Sequence, residues 1–176
     1  GRLSGFEANL IGYDPFVSAE RAAELGVTLY EKLDEFVAAC DIMTVHLPKI
    51  KETVDIINGE ILKNAQPHML LINTARGGIV NQDDLNVALR DGTIAGAGLD
   101  VFVEEPTTES PLFELENVVV TPHLGASTSE AQDKAGLTIA EQMALALSGN
   151  FVPFALNLDA KAATTTVAPY IAVADA

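Results

Sequence analysis

Short, unbroken apolar runs recur along this chain with helix-compatible stretches between them. That rhythm constrains the fold more than any other feature. The runs are Asn9–Tyr13, Ile42–His46, Met69–Asn73, Ile94–Leu99 and Val118–Thr121, with a weaker one at Val27–Leu29. A run such as Leu70-Leu71-Ile72 lacks the polar alternation of a half-solvated strand, so it reads as a parallel strand buried on both faces. The intervening stretches carry helix punctuation. Ser18 caps a helix through Leu25 that Gly26 stops, and Lys32–Ala39 and the short Gly59–Asn64 follow. Asn81–Arg90 begins on a capping residue and has Gly92 past its end. Ser127-Thr128-Ser129-Glu130 reads as a capping box that opens a long helix to Ser148, closed by Gly149. Strands alternating with helices in this way predict an α/β fold with a doubly wound parallel sheet and no internal repeat.

The chain has 176 residues, enough for one domain with a real core, and 48% of them are apolar, which argues against disorder. Its net charge of −15 repels phosphate backbones and anionic lipid, so nucleic-acid and membrane partners are not expected. One cysteine, Cys40, allows no intrachain disulfide and suits a reducing compartment. With no basic-then-apolar leader and no long apolar span, the expected location is the cytoplasm.

The two ends depart from this regular pattern. Tyr13-Asp14-Pro15 ends a strand on an acid, as a dinucleotide-binding unit requires, because such an acid holds the adenosine ribose hydroxyls. That acid lies about 20 residues beyond a glycine-rich loop, whereas Gly1 is only thirteen positions before Asp14 (14 − 1). The fold is therefore expected to be incomplete at its N-terminus. On that expectation it would lack the first strand and most of the first helix, either as a fragment with a deletion or, the favoured alternative, with residues missing between Arg2 and Leu3. Gly1-Arg2 would end a phosphate loop and Leu3-Ser4-Gly5-Phe6 its helix. At the other end, residues 159–176 read as a linker, rich in Ala and Thr to Thr166, and the start of another element near Pro169, leaving 1–158 as the domain.

Three segments follow predicted strands, at the carboxyl edge where open α/β sheets bind ligands. In Asn73-Thr74-Ala75-Arg76-Gly77-Gly78, a guanidinium fork suited to a carboxylate sits beside glycines that let backbone come close. In Gly98-Leu99-Asp100-Val101-Phe102, followed by Glu104-Glu105-Pro106, a carboxylate at a strand end can receive a donor from a cofactor or a histidine. In Thr121-Pro122-His123-Leu124-Gly125-Ala126-Ser127-Thr128, a histidine before a helix is placed to carry a proton near neutral pH. Singly, each has a plain structural reading: an exposed loop arginine, a solvated acidic turn, a structural histidine. His68 keeps that reading, and His46 ends a strand where it can line a cofactor site. Together, Arg76, Glu105 and His123 form a base oriented by a carboxylate, beside an anchor for an acid, with no nucleophile. Such a set suits removal of a hydroxyl proton while a hydride leaves the same carbon. No metal site is expected.

Val45-His46-Leu47-Pro48, Asn73–Val80, Gly98–Phe102 with Glu105-Pro106, and Thr121–Thr128 resemble the signatures of the NAD-dependent D-2-hydroxyacid dehydrogenases. Continued by Glu130-Ala131-Gln132, the last is most similar to the branch acting on 3-phosphoglycerate. The resemblance runs from Leu3 to Leu158. It implies a Rossmann-type NAD-binding domain whose separate substrate domain is absent from this chain. It implies that Arg76 binds the substrate carboxylate, Glu105 hydrogen-bonds His123, and His123 is the general acid/base. Asp14 would hold the ribose, Leu47 the adenine side and Arg2 the pyrophosphate. Thr74, Ala75, Arg76, Asp100, His123, Gly125 and Ala126 would surround the nicotinamide half. An acid at Asp14 favours NAD over NADP. Asn81 stands where the family usually has Asp.

The resemblance further implies oxidation of 3-phosphoglycerate to 3-phosphohydroxypyruvate, the entry to serine biosynthesis, by a homodimer or homotetramer. Glycerate, lactate or formate are sibling substrates. An NAD-sensing corepressor of the same fold keeps the same three residues and is the alternative of another class. A third expectation is an inert fragment with a raw sheet edge that binds dinucleotide weakly.

Overall fold

A computed structural model describes residues Leu3–Ala155. Arg2 and the segment expected to link onward from residue 159 lie outside the described residues. The chain divides at Gly125 into two compact units. Among the described residues, the first holds six strands and four α-helices: β1 (Ile11–Gly12), α1 (Ala19–Glu24), β2 (Thr28–Leu29), α2 (Leu33–Ala38), β3 (Ile42–Val45), α3 (Gly59–Leu62), β4 (Leu70–Asn73), α4 (Gln82–Arg90), β5 (Gly96–Leu99) and β6 (Val118–Val120). The second holds α5 (Ser129–Leu147). Four-residue 3₁₀ turns cover Leu3–Phe6, within the expected helix end, and Pro111–Glu114, which the sequence pattern did not predict.

The helices start where side chains relieve unpaired backbone N–H groups. Ser18 accepts from the Arg21 amide, Asn58 from those of Glu60 and Ile61, and Asn81 from that of Asp84. Gly26 and Gly92 take positive φ just past α1 and α4, the left-handed turn that stops a helix. The long helix begins one residue later than its capping box predicts. Thr128, not Ser127, is the N-cap, and its hydroxyl accepts from the Ala131 amide.

All strand pairings are parallel, as expected, but they form two sheets. β1 pairs β2, and β3-β4-β5-β6 run in sequential order. In the four-stranded sheet, register puts Met43, Leu71 and Ala97 on one face with Val45, Asn73 and Leu99. That face joins Val37, Ile57, Leu62, Ile79, Leu85 and Leu89 in the core. The opposite face carries Ile42, Thr44, Leu70 and Ile72, and Ile42 is 65% exposed. Continuous apolar runs predict burial on both faces. The burial instead alternates along β3, because the elements that pack on this sheet's core supply one covering layer. No helix among the described residues is long and apolar enough to cross a membrane.

The covered face fixes the carboxyl edge. The segment after β4 returns along residues 55–57: Asp55 donates to Gly78, Ile57 to Ile79, and Asn81 back to Ile57, at 2.9–3.2 Å. The loop carrying Arg76 is therefore clamped at its far end by backbone pairing.

Candidate active site

β4 ends on Asn73, which is buried. A buried amide must find partners, and this one shapes the next turn. Its Oδ1 accepts from the Ala75 amide at 3.1 Å and its Nδ2 donates to the Arg76 carbonyl at 3.1 Å. The turn leaves Thr74 exposed, Ala75 packed on the core, and Arg76 exposed with Nη1 donating to the Ala75 carbonyl at 2.6 Å. Among the described residues no carboxylate pairs with Arg76, so its remaining donors can receive an anion.

One strand over, β5 runs into Asp100, whose backbone N–H donates to the Asn73 carbonyl. The Asp100 carboxylate is buried yet well supplied. Oδ1 accepts from the Thr121 hydroxyl and the Leu124 amide, both at 2.6 Å, and Oδ2 accepts from the Gly125 amide at 2.7 Å. Burial works against its charge. The Thr121 hydroxyl, the two amides and nearby His123 outweigh that and hold the carboxyl below its ordinary value. Gly125 is needed for this closeness, since a Cβ there would meet Oδ2 at 2.9 Å.

The loop that Asp100 staples carries His123 at φ 58°, a left-handed conformation uncommon outside glycine. Local strain of this kind persists only where the surroundings over-determine it. Here Thr121 completes the ladder to Leu99, and Leu124 and Gly125 are tied to Asp100. His123 Nδ1 and Glu105 Oε2 lie 2.6 Å apart. The other oxygen, Glu105 Oε1, accepts from the Phe102 amide at 2.8 Å. The hydrogen bond from His123, then the one from Phe102, lowers the Glu105 pKa against the smaller opposing cost of desolvation. An ionised carboxylate only accepts, so the proton between the two sits on Nδ1, and Nε2 is the nitrogen for chemistry. A cavity of about 510 Å³ opens beside the pair. It is lined by Phe102, Pro106, Phe113 and Val120 among others, with the Phe102 and Phe113 rings edge to face at 5.4 Å.

The remaining expected cofactor residues are spread along the same edge and beyond it. Asp14 follows β1 and is exposed; its Oδ1 accepts from the Phe16 amide at 2.9 Å, and its other oxygen has no partner among the described residues. Leu47 is half-buried against the core, and His46 Nε2 meets the Thr44 hydroxyl at 3.1 Å. Ala126 belongs to the second unit, just ahead of the α5 cap. His68 pairs with Asp41 at 2.7 Å near the strand starts, at the opposite edge from His123.

Sequence reasoning named the charged groups but missed Asn73 and Thr121, which shape the loops beneath them. A polar Asn closing an apolar strand was the available signal for the first.

Residues 1–125 match the family model described as "D-isomer specific 2-hydroxyacid dehydrogenase, NAD binding domain". The chain belongs to this family. Among relatives of this NAD-binding domain, D-3-phosphoglycerate dehydrogenase of Mycobacterium leprae (strain TN) is 50% identical over 170 residues, 97% of this chain and 32% of the relative. The chain thus spans about a third of the length of the curated relatives it matches. A D-isomer specific 2-hydroxyacid dehydrogenase from Xanthobacter autotrophicus Py2 superposes with a TM-score of 0.72 at 35% identity, covering 86% of this chain and 50% of that one. The NAD-complexed form of the enzyme from Lactobacillus delbrueckii ssp. bulgaricus superposes with a TM-score of 0.72 at 29% identity, covering 85% and 49%.

Proposed function

We propose that this NAD-binding domain serves a dehydrogenase that oxidises 3-phosphoglycerate to 3-phosphohydroxypyruvate. His123 is the general base, Glu105 its orienting partner and Arg76 the anchor of the substrate carboxylate. The observation that carries this reading is the 2.6 Å His123–Glu105 contact, one strand end away from an arginine that has no carboxylate partner among the described residues. Glu105 holds Nδ1, so Nε2 takes the substrate hydroxyl proton as the carbon–hydrogen bond breaks. Bound NAD would supply the acceptor for the hydride. Arg76 keeps the carboxylate, and with it the reacting carbon, in one orientation.

The cofactor fits the residues present. Asp14 offers a carboxylate oxygen at a strand end for ribose hydroxyls, and a 2′-phosphate would be repelled there. Leu47 supplies an apolar wall for the adenine. Thr74, Ala75, Asp100, Gly125 and Ala126 are the residues proposed around the nicotinamide half, and Arg2 near the pyrophosphate. The choice of 3-phosphoglycerate is supported by the name of the Mycobacterium leprae relative. The domain is taken to span 1–158, with 159–176 leading to the substrate domain, in a cytoplasmic homodimer or homotetramer.

The test is NAD reduction by the full-length protein with 3-phosphoglycerate, and with glycerate and lactate as alternatives. Activity with 3-phosphoglycerate alone is expected. His123→Ala should cut kcat by a factor on the order of 10²–10⁴ and leave NADH affinity nearly intact. Equal loss of binding and turnover would remove His123 from its assigned role.

A further inference from the structure

The substrate anchor and the proton carrier sit on separate loops, and one glycine lies between them. Gly77 follows Arg76 and is buried. A Cβ built there would stand 1.7 Å from the Phe102 carbonyl oxygen, 2.0 Å from its carbon and 2.7 Å from the Val103 nitrogen. Real Cβ atoms do not come this close to backbone, and backbone has no rotamer by which to retreat. The two main chains touch at a point that only a glycine permits.

The partner peptide is not neutral ground. While its carbonyl faces Gly77, the Phe102 amide donates to Glu105 Oε1 at 2.8 Å, and Glu105 Oε2 holds His123 Nδ1 at 2.6 Å. Behind Gly77, the Arg76 carbonyl is held by buried Asn73. A continuous path therefore runs from Asn73 and Arg76 through Gly77, Phe102 and Glu105 to the imidazole.

We infer that Gly77 is a positioning residue: its bare Cα against Phe102 sets the Arg76 loop and the Glu105–His123 pair in one register. This rests on the proposed roles of Arg76 and His123. Any side chain at 77 pushes Phe102 away, draws its amide off Glu105, and frees Glu105 to leave the imidazole. Gly78 provides the contrast. It has φ +83°, so alanine there is strained, but its Cβ would meet only the flexible end of Lys49, at 3.1 Å, and the Val103 side chain at 3.9 Å. Gly78→Ala should cost stability without moving Phe102.

The experiment compares the wild type, Gly77→Ala and Gly78→Ala, with ¹⁵N-labelled histidine. The readout is the His123 Nδ1 proton resonance, which a short bond to carboxylate shifts downfield and protects from exchange. Gly77→Ala is expected to lose that resonance, and Gly78→Ala to keep it while melting at lower temperature. If Gly77→Ala keeps it, or both variants lose it alike, the inference is overturned. Should Gly77→Ala fail to fold, Glu105→Ala reads the same path in reverse. It is an exposed truncation that releases Phe102, and backbone amide shifts at Ala75–Gly78 should move; stationary shifts would overturn the inference. In the full-length protein, Gly77→Ala should lower kcat by about a hundredfold at unchanged NADH affinity, and parallel loss of both would mark a merely structural role. A wild-type protein inactive on 3-phosphoglycerate would sink the proposed reaction, while the resonance would still decide the role of Gly77.

Discussion

Asp100 is buried and charged, and it accepts from three donors, so the loop that carries His123 depends on its ionisation. Its folded pKa lies below the ordinary carboxylate value of about 3.9. A depressed carboxyl contributes stability that is complete above the unfolded pKa and is lost as pH falls through that value toward the lower folded one. The wild type should therefore lose melting temperature on acidification through that range, and Asp100→Asn should lose less. Equal slopes of Tm against pH in the two would refute the assignment. At neutral pH, Asp100→Ala leaves the Thr121 hydroxyl and two amides without their acceptor, which should cost about 1–3 kcal/mol in denaturant melts. The contact between Glu105 and His123 was legible at this scale, and Arg76 was named with them, because charged groups at strand ends advertise themselves. Gly77 was not. Its importance lies in a carbonyl twenty-five positions away (102 − 77), and no local pattern encodes that.

At the scale of elements, capping residues predicted helix starts to within a residue because the N-cap hydrogen bond is local. One cap reaches across elements. Asp84, in the first turn of α4, accepts from the Gly59 amide of α3 at 2.7 Å, twenty-five residues away (84 − 59). The four residues of α3 are too few to hold a helix alone. Asp84→Ala should lower stability by about 1 kcal/mol and speed amide exchange first in α3. Uniform loss of protection across the unit would argue against a local cap. The turn before α3 points the other way. Asp55 sits at φ 53°, where a side chain costs about 1–2 kcal/mol. Asp55→Gly keeps the backbone bond from residue 55 to Gly78 and should raise Tm; a drop would show that the carboxylate has a partner worth more than the strain.

At the scale of the molecule, the four-stranded sheet buries one face and leaves Ile42 and Leu70 exposed on the other. Exposed apolar strand surface invites association. Ile42→Thr should reduce aggregation of the 176-residue chain while changing stability by only about 0.5 kcal/mol. Light scattering and a thermal melt on the same sample test both halves, and a core-sized loss of Tm would mean that Ile42 is covered in solution.

The sequence alone determined the strand and helix inventory, the parallel α/β class, the acid after the first strand and the three charged candidates. Each rests on interactions within a few residues, such as apolar periodicity, helix caps and glycine stops, or on charged side chains where strands end. Tertiary structure alone decided the division into two sheets, the exposed face, the left-handed backbone at His123, the stapling of its loop by Asp100 and the contact of Gly77 with Phe102. Those depend on which strands become neighbours and how closely their ends approach. That is settled by packing between segments distant along the chain, where a fraction of an ångström separates a contact from a clash and leaves no periodic trace in the order of residues.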